Sequence, residues 1–257
     1  MSAVSHKLLP VVWLFLVALV MADTAQADDL NTAFAQANKL YDESKFVEAA
    51  GAYQKLIDTG QVSAALYFNL GNAWFKSGQT GRAIAAYRRA AELTPRDPDL
   101  QANLQFARRV ANGGTPPKSA FWRRWLTTLT LDEWSWLAAG AGWLWLILLT
   151  AGQWRTGLRK ALARFTTAAA IGFAVLLICV TAAFANPART TSAVVIVPSA
   201  IVRYGPLTES PRFYQLRDGA EVRVVDQDRD WLQVIDSARR KGWLQREQVQ
   251  VLPPPGS

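Results

Sequence analysis

Two long stretches without a charged side chain dominate the hydropathy pattern of the chain. They are residues 134–152 and 165–185, 19 and 21 residues long. A helix that crosses the hydrocarbon core of a bilayer needs about 20 predominantly apolar residues. The pattern therefore predicts a hairpin of two transmembrane helices.

The segment between these stretches, residues 153–164, carries four basic side chains and no acidic one: Arg155, Arg159, Lys160 and Arg164. Short loops rich in Lys and Arg remain in the cytoplasm. The charge distribution therefore predicts that this loop is cytoplasmic and that residues 28–133 and 186–257 lie on the opposite side of the membrane.

A shorter apolar run lies near the N-terminus. It extends from Leu8 to Met21, follows Lys7 and precedes the small-residue motif Ala-Gln-Ala at positions 25–27. This arrangement is typical of a secretory signal peptide, and about 14 apolar residues are few for a membrane span. We predict a signal peptide of residues 1–27, with an uncleaved anchor as the alternative. Both agree with export of the region from residue 28 onward.

Residues 28–111 have the spacing of amphipathic helices instead. Shifting the sequence by 34 residues places Ala49 on Ala83 and Tyr53 on Tyr87, and this period is typical of helical-hairpin repeats. The predicted repeats cover about residues 30–60 and 64–95. A capping helix over residues 97–110 would turn inward Leu100, Leu104 and either Phe106 or Ala107.

The second copy resembles the tetratricopeptide repeat. Its matching residues are Leu70, Gly71, Trp74, Gly78, Ala83, Tyr87, Ala90 and Pro95, whereas Asn38 is assigned to the place of the glycine in the first copy. The resemblance implies that Gly71 and Ala83 lie where two helices cross. It also implies a concave groove that binds protein segments, with candidate contacts Lys39, Phe68, Asn69, Asn72 and Lys76. For Asn69 and Asn72, an ordinary solvated position is the alternative. Asp99 and Asn103 replace the basic residues of the carboxylate-clamp variety, which argues against chaperone-tail binding.

The C-terminal region alternates apolar and polar residues with the period of β-strands. It resembles the bacterial SH3-like domain at Val202–Pro206, Leu216–Gly219, Val222–Val225, Asp230–Leu232 and Gly242–Trp243. The resemblance implies a small all-β barrel with Trp231 and Trp243 in its core. It further implies a ligand groove at Tyr204 for a cell-wall peptide or a protein segment.

Tryptophans also cluster around the start of the first apolar stretch. Trp122 and Trp125 lie in the linker of residues 112–133, and Trp134 and Trp136 open the stretch itself. They are predicted to form an interfacial belt or to lie on a helix at the membrane surface, where amphipathic indole rings concentrate.

The formal net charge of +8 does not indicate nucleic-acid binding. Residues 112–185 hold seven basic and two acidic side chains, so most of the excess flanks the apolar stretches. The chain has one histidine, His6, and one cysteine, Cys179. These numbers exclude an internal disulfide, a Cys/His zinc site and a serine–histidine pair in the mature chain. We therefore expect no enzyme activity, no cofactor and no bound metal.

The order of these regions is similar to that of the BatE proteins of the bacterial aerotolerance operon. That resemblance implies a protein of the bacterial inner membrane whose soluble regions face the periplasm. It also implies association with von Willebrand factor A-domain membrane proteins and, indirectly, with a MoxR-type ATPase. The residues themselves predict a multidomain, membrane-anchored interaction scaffold. The alternative is an envelope sensor or peptidoglycan-binding protein that acts through the SH3-like region.

Overall fold

The computed structural model describes residues 30–114, 129–154, 157, 159–185, 191–252 and 254. These residues belong to two compact units, one containing the helical repeats together with Ser192–Leu252 and the other containing the two apolar stretches. The predicted signal peptide, most of the tryptophan-rich linker and Arg155 lie outside the described residues.

Among the described residues, five helices form the repeat region, which we define as residues 30–114. They are α1 (residues 30–42), α2 (Phe46–Asp58), α3 (Ala64–Lys76), α4 (Thr80–Leu93) and α5 (Pro98–Ala111). The Ser63 side chain caps α3, and the Asp97 side chain caps α5, which has Pro98 in its first turn. Both arrangements satisfy backbone N–H groups that a helix leaves unpaired at its start.

The predicted helical hairpins are confirmed, and Gly71 is required by packing. A Cβ added at Gly71 would lie 2.6 Å from carbons of the Tyr87 ring. The ring of α4 therefore lies directly against the backbone of α3. Gly78, at φ 81°, follows the end of α3 in a conformation that glycine adopts most readily.

The second part of this unit is an antiparallel sheet, which with its loops we define as the β-domain (residues 191–252). Its strands are β1 (Ser192–Val195), β2 (Ser199–Arg203), β3 (Arg212–Arg217), β4 (Glu221–Asp228), β5 (Trp231–Ile235), β6 (Lys241–Gln245) and β7 (Val249–Leu252). The strand order is β3-β2-β6-β5-β4-β1-β7. The all-β SH3-like architecture is confirmed, but β3 and β7 remain edges, so the sheet is not a closed barrel.

The core of the β-domain consists of the aliphatic side chains of Ala, Val and Leu residues. Leu232, Val234 and Leu244 are essentially fully buried, whereas Trp231 and Trp243 are only half-buried. The prediction that these tryptophans form the core is therefore wrong. Side chains alternate between the two faces of a strand, so each tryptophan lies on the face opposite its buried neighbour.

The β-domain packs on the repeat region through β1 and β7. Val194 and Leu252 join the apolar cluster formed by α4 and α5, which includes Ile84, Leu104 and Ala107. All five side chains are at most 3% exposed. The two parts of this unit thus share one apolar cluster, in addition to the separate cores of the first repeat and of the β-domain.

The second unit contains two apolar helices, α6 (Leu131–Trp154) and α7 (Arg159–Phe184). Trp134 packs with Cys179 and Ala183, and Trp145 stacks on Phe173, so the helices run antiparallel. Both are long and apolar enough to cross a membrane. Residues 159–164, predicted as loop, instead extend α7, because their Arg, Lys, Ala and Leu residues favour helix.

An N-terminal cap that the sequence analysis missed begins α6. The Thr130 backbone N–H donates to Glu133 Oε2 at 2.8 Å, and the Glu133 N–H donates to Thr130 Oγ1 at 3.3 Å. This reciprocal pair is a capping box, whose signal is a Thr followed three residues later by a Glu.

Candidate functional site

The first helices of the repeats, α1, α3 and α5, line a groove built on a hydrogen-bonded triad. In its first copy, the Tyr53 hydroxyl donates to Asn38 Oδ1 at 2.6 Å, and Asn69 Nδ2 donates to the same oxygen at 3.3 Å. Three different helices, α1, α2 and α3, supply these side chains. The triad therefore fixes the position of one first helix relative to the next.

The same triad recurs 34 residues later. The Tyr87 hydroxyl donates to Asn72 Oδ1 at 2.7 Å, and Asn103 Nδ2 donates to that oxygen at 3.2 Å. Burial raises the pKa of Tyr87, and chiefly burial raises that of Tyr53 to about 12, so both hydroxyls remain proton donors. The floor of the groove is a periodic polar network.

In each triad one amide group remains available to a ligand. Asn38 and Asn72 use their oxygens twice, and the described residues provide no hydrogen-bond acceptor for their Nδ2 atoms. Neither Nδ2 is among the buried unsatisfied atoms, so both are accessible to solvent. Such amides can bind backbone carbonyl groups without reading a side-chain sequence.

Two cavities of about 300 Å³ lie side by side above this network. The first is lined by Asn38, Tyr41, Asp42, Tyr53, Asn69 and Asn72. The second is lined by Tyr41, Asn72, Phe75, Lys76, Tyr87, Asn103 and Phe106. They share Tyr41 and Asn72, so they form one continuous groove across α1, α3 and α5.

The predicted contact residues divide between this groove and other places. Asn69, Asn72 and Lys76 line it. Phe68 is instead packed beside the Tyr87 ring, with centroids 6.0 Å apart. Lys39 lines a separate depression on α1, together with Thr32, Ala35, Gln36, Leu40 and Glu43.

Sequence reasoning missed several groove residues, although the 34-residue period contains the signal. At this offset Asn38 aligns with Asn72, and Ala37 aligns with Gly71. The assignment of Asn38 to the place of the glycine is therefore wrong. Ala37, which is fully buried, occupies that inner position, and Asn38 belongs to the groove.

A carboxylate from the β-domain caps α4 of the repeat region. The backbone N–H of Gly81 donates to both carboxylate oxygens of Asp218 at 3.1 Å, while Gln79, the N-cap residue of α4, provides no side-chain cap. Negative charge at a helix N-terminus is favourable. Burial raises the pKa of the Asp218 carboxyl, although the backbone donors oppose this effect.

A second carboxylate of the β-domain joins two helices. Glu221 accepts from Arg108 of α5, at 2.5 Å from Nε and 2.9 Å from Nη2, and pairs with Arg88 of α4 at 3.3 Å. Burial alone would raise the pKa of Glu221, but the two guanidinium groups outweigh it and hold this pKa below its ordinary value. The contact between the β-domain and the repeat region therefore includes ion pairs as well as apolar side chains.

On the β-domain, Tyr204 lies on the surface, as the resemblance to the SH3-like family implies. It is 62% exposed, and its ring centroid lies 4.4 Å from that of Phe213. Phe213 in turn contacts Tyr214, whose ring lies 3.8 Å from the Arg240 guanidinium carbon. The β3 edge thus presents aromatic rings and a cation together.

Comparisons with known proteins match both parts of this unit. Residues 34–98 match the tetratricopeptide repeat family model, and residues 197–250 match the bacterial SH3 domain model. The chain combines a tetratricopeptide repeat region with a bacterial SH3-like domain. No curated protein matches the chain at a significant level of similarity. Repeats of the first kind bind proteins and domains of the second kind bind cell walls, a composition that supports an adaptor scaffold.

Proposed function

We propose that this protein is a membrane-anchored scaffold whose repeat groove captures an extended segment of a partner protein in the periplasm. The observation that carries the proposal is the repeated Tyr–Asn–Asn triad, which leaves the amide donors of two groove-lining residues, Asn38 and Asn72, without an acceptor among the described residues. These donors complement the carbonyl groups of an extended backbone, because each peptide unit offers one acceptor.

The shared core of the repeat region and the β-domain supports placement of both on one side of the membrane. Two parts of a chain that pack together must lie in the same compartment. An antiparallel pair of spanning helices returns the chain to the side from which it came. The basic residues between the helices favour the cytoplasm for the turn and the periplasm for the domains.

Within this proposal, the protein is an accessory component of a Bat-type aerotolerance complex. Its neighbours would be von Willebrand factor A-domain membrane proteins and, through them, a MoxR-type ATPase. The support is the similarity of region order to the BatE proteins. Affinity purification from native membranes should recover A-domain proteins, and their absence from wild-type eluates would argue against this assignment.

The groove is tested by partner capture with the full chain in detergent. Asn72→Ala combined with Lys76→Glu should reduce recovery of membrane partners, because it removes one amide donor and reverses one charge. Asn72 also accepts hydrogen bonds from Tyr87 and Asn103, so the variant must keep the helix content of the wild type by circular dichroism. The matched control is Gln61→Ala, an exposed change outside the groove. Equal recovery by the wild type and the double variant would refute the groove as the binding site.

The topology is tested by cysteine labelling in a Cys179→Ala background, which contains no other thiol. Gln61→Cys in the repeat region and Ser237→Cys in the β-domain should react with a membrane-impermeant maleimide on spheroplasts. Gly157→Cys, between the two apolar helices, should react only after lysis. The opposite pattern would place the domains in the cytoplasm.

Peptidoglycan binding through the β-domain is the second candidate function. The exposed Tyr204 beside Phe213 favours it, because aromatic side chains contribute a large contact area at interfaces. The full chain in detergent should then sediment with purified peptidoglycan, and Tyr204→Ala should release it. Failure of the wild-type chain to sediment would eliminate this candidate.

A further inference from the structure

The helices α1, α3 and α5 contribute chemically different side chains along the groove. Asn38 and Asp42 lie one turn apart on α1, and Asn72 and Lys76 occupy the same two positions on α3. Residues four apart share a helix face. Asp42 and Lys76 are both exposed, and neither has an ion-pair partner among the described residues.

The part of the groove formed by α5 is apolar. At the positions equivalent to Asn72 and Lys76, α5 carries Phe106 and Val110, which are 53% and 47% exposed. The Phe106 ring meets the Phe75 ring edge-on, with centroids 5.5 Å apart. Large exposed apolar surface beside a polar groove indicates a contact site.

Resting on the proposed function of the groove, we infer the chemistry of the segment that it captures. That segment carries a basic side chain over Asp42, an acidic one over Lys76 and a bulky apolar one over Phe75 and Phe106. Packed helices lie about 10 Å apart, and an extended chain covers this distance in about three residues. The three side chains are therefore spaced at intervals of about three residues.

Each part of this assignment has its own physical basis. The triads fix the extended conformation through the ligand backbone, without regard to sequence. The order of Asp42, Lys76 and the Phe75–Phe106 surface fixes direction, because a reversed segment would move its basic side chain from Asp42 to the apolar surface and its apolar side chain to Asp42. The Phe75–Phe106 surface selects a large apolar side chain, whose burial is favourable in proportion to its area.

The test measures binding of fluorescein-labelled heptapeptides to the full chain in detergent micelles. The probes are Lys-Ser-Ser-Glu-Ser-Ser-Leu, its reverse, a version with Lys and Glu exchanged, and a version ending in Ser. The wild type should prefer the first peptide, or its reverse, about fivefold over the charge-exchanged one, as expected for two partly exposed ion pairs. The Asp42→Lys, Lys76→Asp double variant should invert this preference while keeping its helix content.

The apolar step is tested separately. Phe106→Ser should bind the peptides ending in Leu and in Ser equally, whereas the wild type should distinguish them severalfold. Gln105→Ser, at an exposed neighbouring position, is the control and should leave the discrimination intact.

The outcomes separate this inference from the proposed function. Peptide binding without a charge preference overturns the inference and leaves the groove function standing. The same conclusion follows if no peptide binds while the double variant Asn72→Ala, Lys76→Glu still impairs partner capture. If that variant still binds the peptides and the partner as well as the wild type does, both the inference and the proposed function are overturned. If the wild type is a dimer and the Lys76→Asp variant is a monomer, the occupant of the groove is a second copy of the chain. This result would also overturn the inference.

Discussion

The helices α3 and α5 occupy equivalent positions 34 residues apart, yet different structures cover them. Their inner positions agree: Leu66, Leu70 and Ala73 align with Leu100, Leu104 and Ala107, and all six are buried. α3 is covered by its own second helix, α4. The β-domain packs instead at the C-terminal end of α5, where it also meets α4.

The residues that differ between the two helices explain the difference. Gly71, which admits the Tyr87 ring, aligns with the exposed Gln105, and Trp74 aligns with Arg108. Arg108 reaches Glu221 of the β-domain instead of packing on a helix. A repeat stack must cover the exposed side of its last helices. Here a sheet contributes to that cover through an ion pair and two aliphatic side chains.

The strongest test of this difference places leucine at both equivalent positions. Gly71→Leu should destabilise the repeat region by about 3 kcal/mol, because the side chain overlaps the Tyr87 ring. Gln105→Leu, on a surface that no helix covers, should change stability by less than about 0.5 kcal/mol. Urea unfolding of the full chain in detergent, followed by circular dichroism, measures both. Similar losses would show that α5 is also covered by a close neighbour.

A methyl group at Gly81 should weaken the contact between α4 and the β-domain. A Cβ there would overlap the Val195 carbonyl oxygen and the Asp218 carboxylate, and we expect a loss of about 2 kcal/mol. Hydrogen exchange should accelerate in the first turn of α4 and in β1. Gly51→Ala, in α2 with open space around it, is the control and should be neutral or stabilising. Unchanged exchange in Gly81→Ala would contradict the contact.

Removing the charge of Glu221 should destabilise the protein somewhat less than Gly81→Ala does. Its side chain is 30% exposed, so Glu221→Gln should lose about 1–2 kcal/mol at pH 7, less than for a fully buried pair. The lowered pKa of Glu221 means that its contribution is present above the ordinary carboxyl pKa of 4.5 and is lost as the pH falls further. The wild type and the variant should therefore converge in stability under acid. Glu209→Gln, at an exposed loop position, should show no such convergence.

The smallest expected effect concerns the cap of α4. Asp218→Ala removes the acceptor for Gly81 and should cost about 1 kcal/mol. Asp218→Asn keeps an acceptor without the charge that burial disfavours, so its stability should stay within about 0.5 kcal/mol of the wild type. Thermal unfolding distinguishes the two variants. Equal losses in both would mean that the charge, and not the acceptor, stabilises α4.

The sequence predicted the local elements better than their partners. A 34-residue period, a charge-free stretch and a two-residue alternation each arise from the geometry of one element, so the repeat helices, the two long apolar helices and the strands could be recognised. The bonds from Asp218 to Gly81 and from Glu221 to Arg108 join residues more than 100 positions apart. No local pattern encodes such pairings, and the shared core they surround was not predicted.

The groove shows the same division. Asn69, Asn72 and Lys76 could be placed from the repeat signature, whereas Asn38 required the full register of both copies. Trp231 and Trp243 were assigned to the core from the resemblance to the SH3-like family, although alternation with Leu232 and Leu244 placed them on the other face. Strand periodicity was the more reliable guide there than the resemblance.

The contact between the repeat region and the β-domain has a consequence for how it can open. The two are also joined covalently, through residues 115–190, so separation is a first-order event that dilution of the protein cannot drive. For two surfaces joined in one chain, the effective concentration is set by the connecting segment and not by the concentration of the protein. A free competitor for the same face of α4 would therefore have to compete with an intramolecular contact.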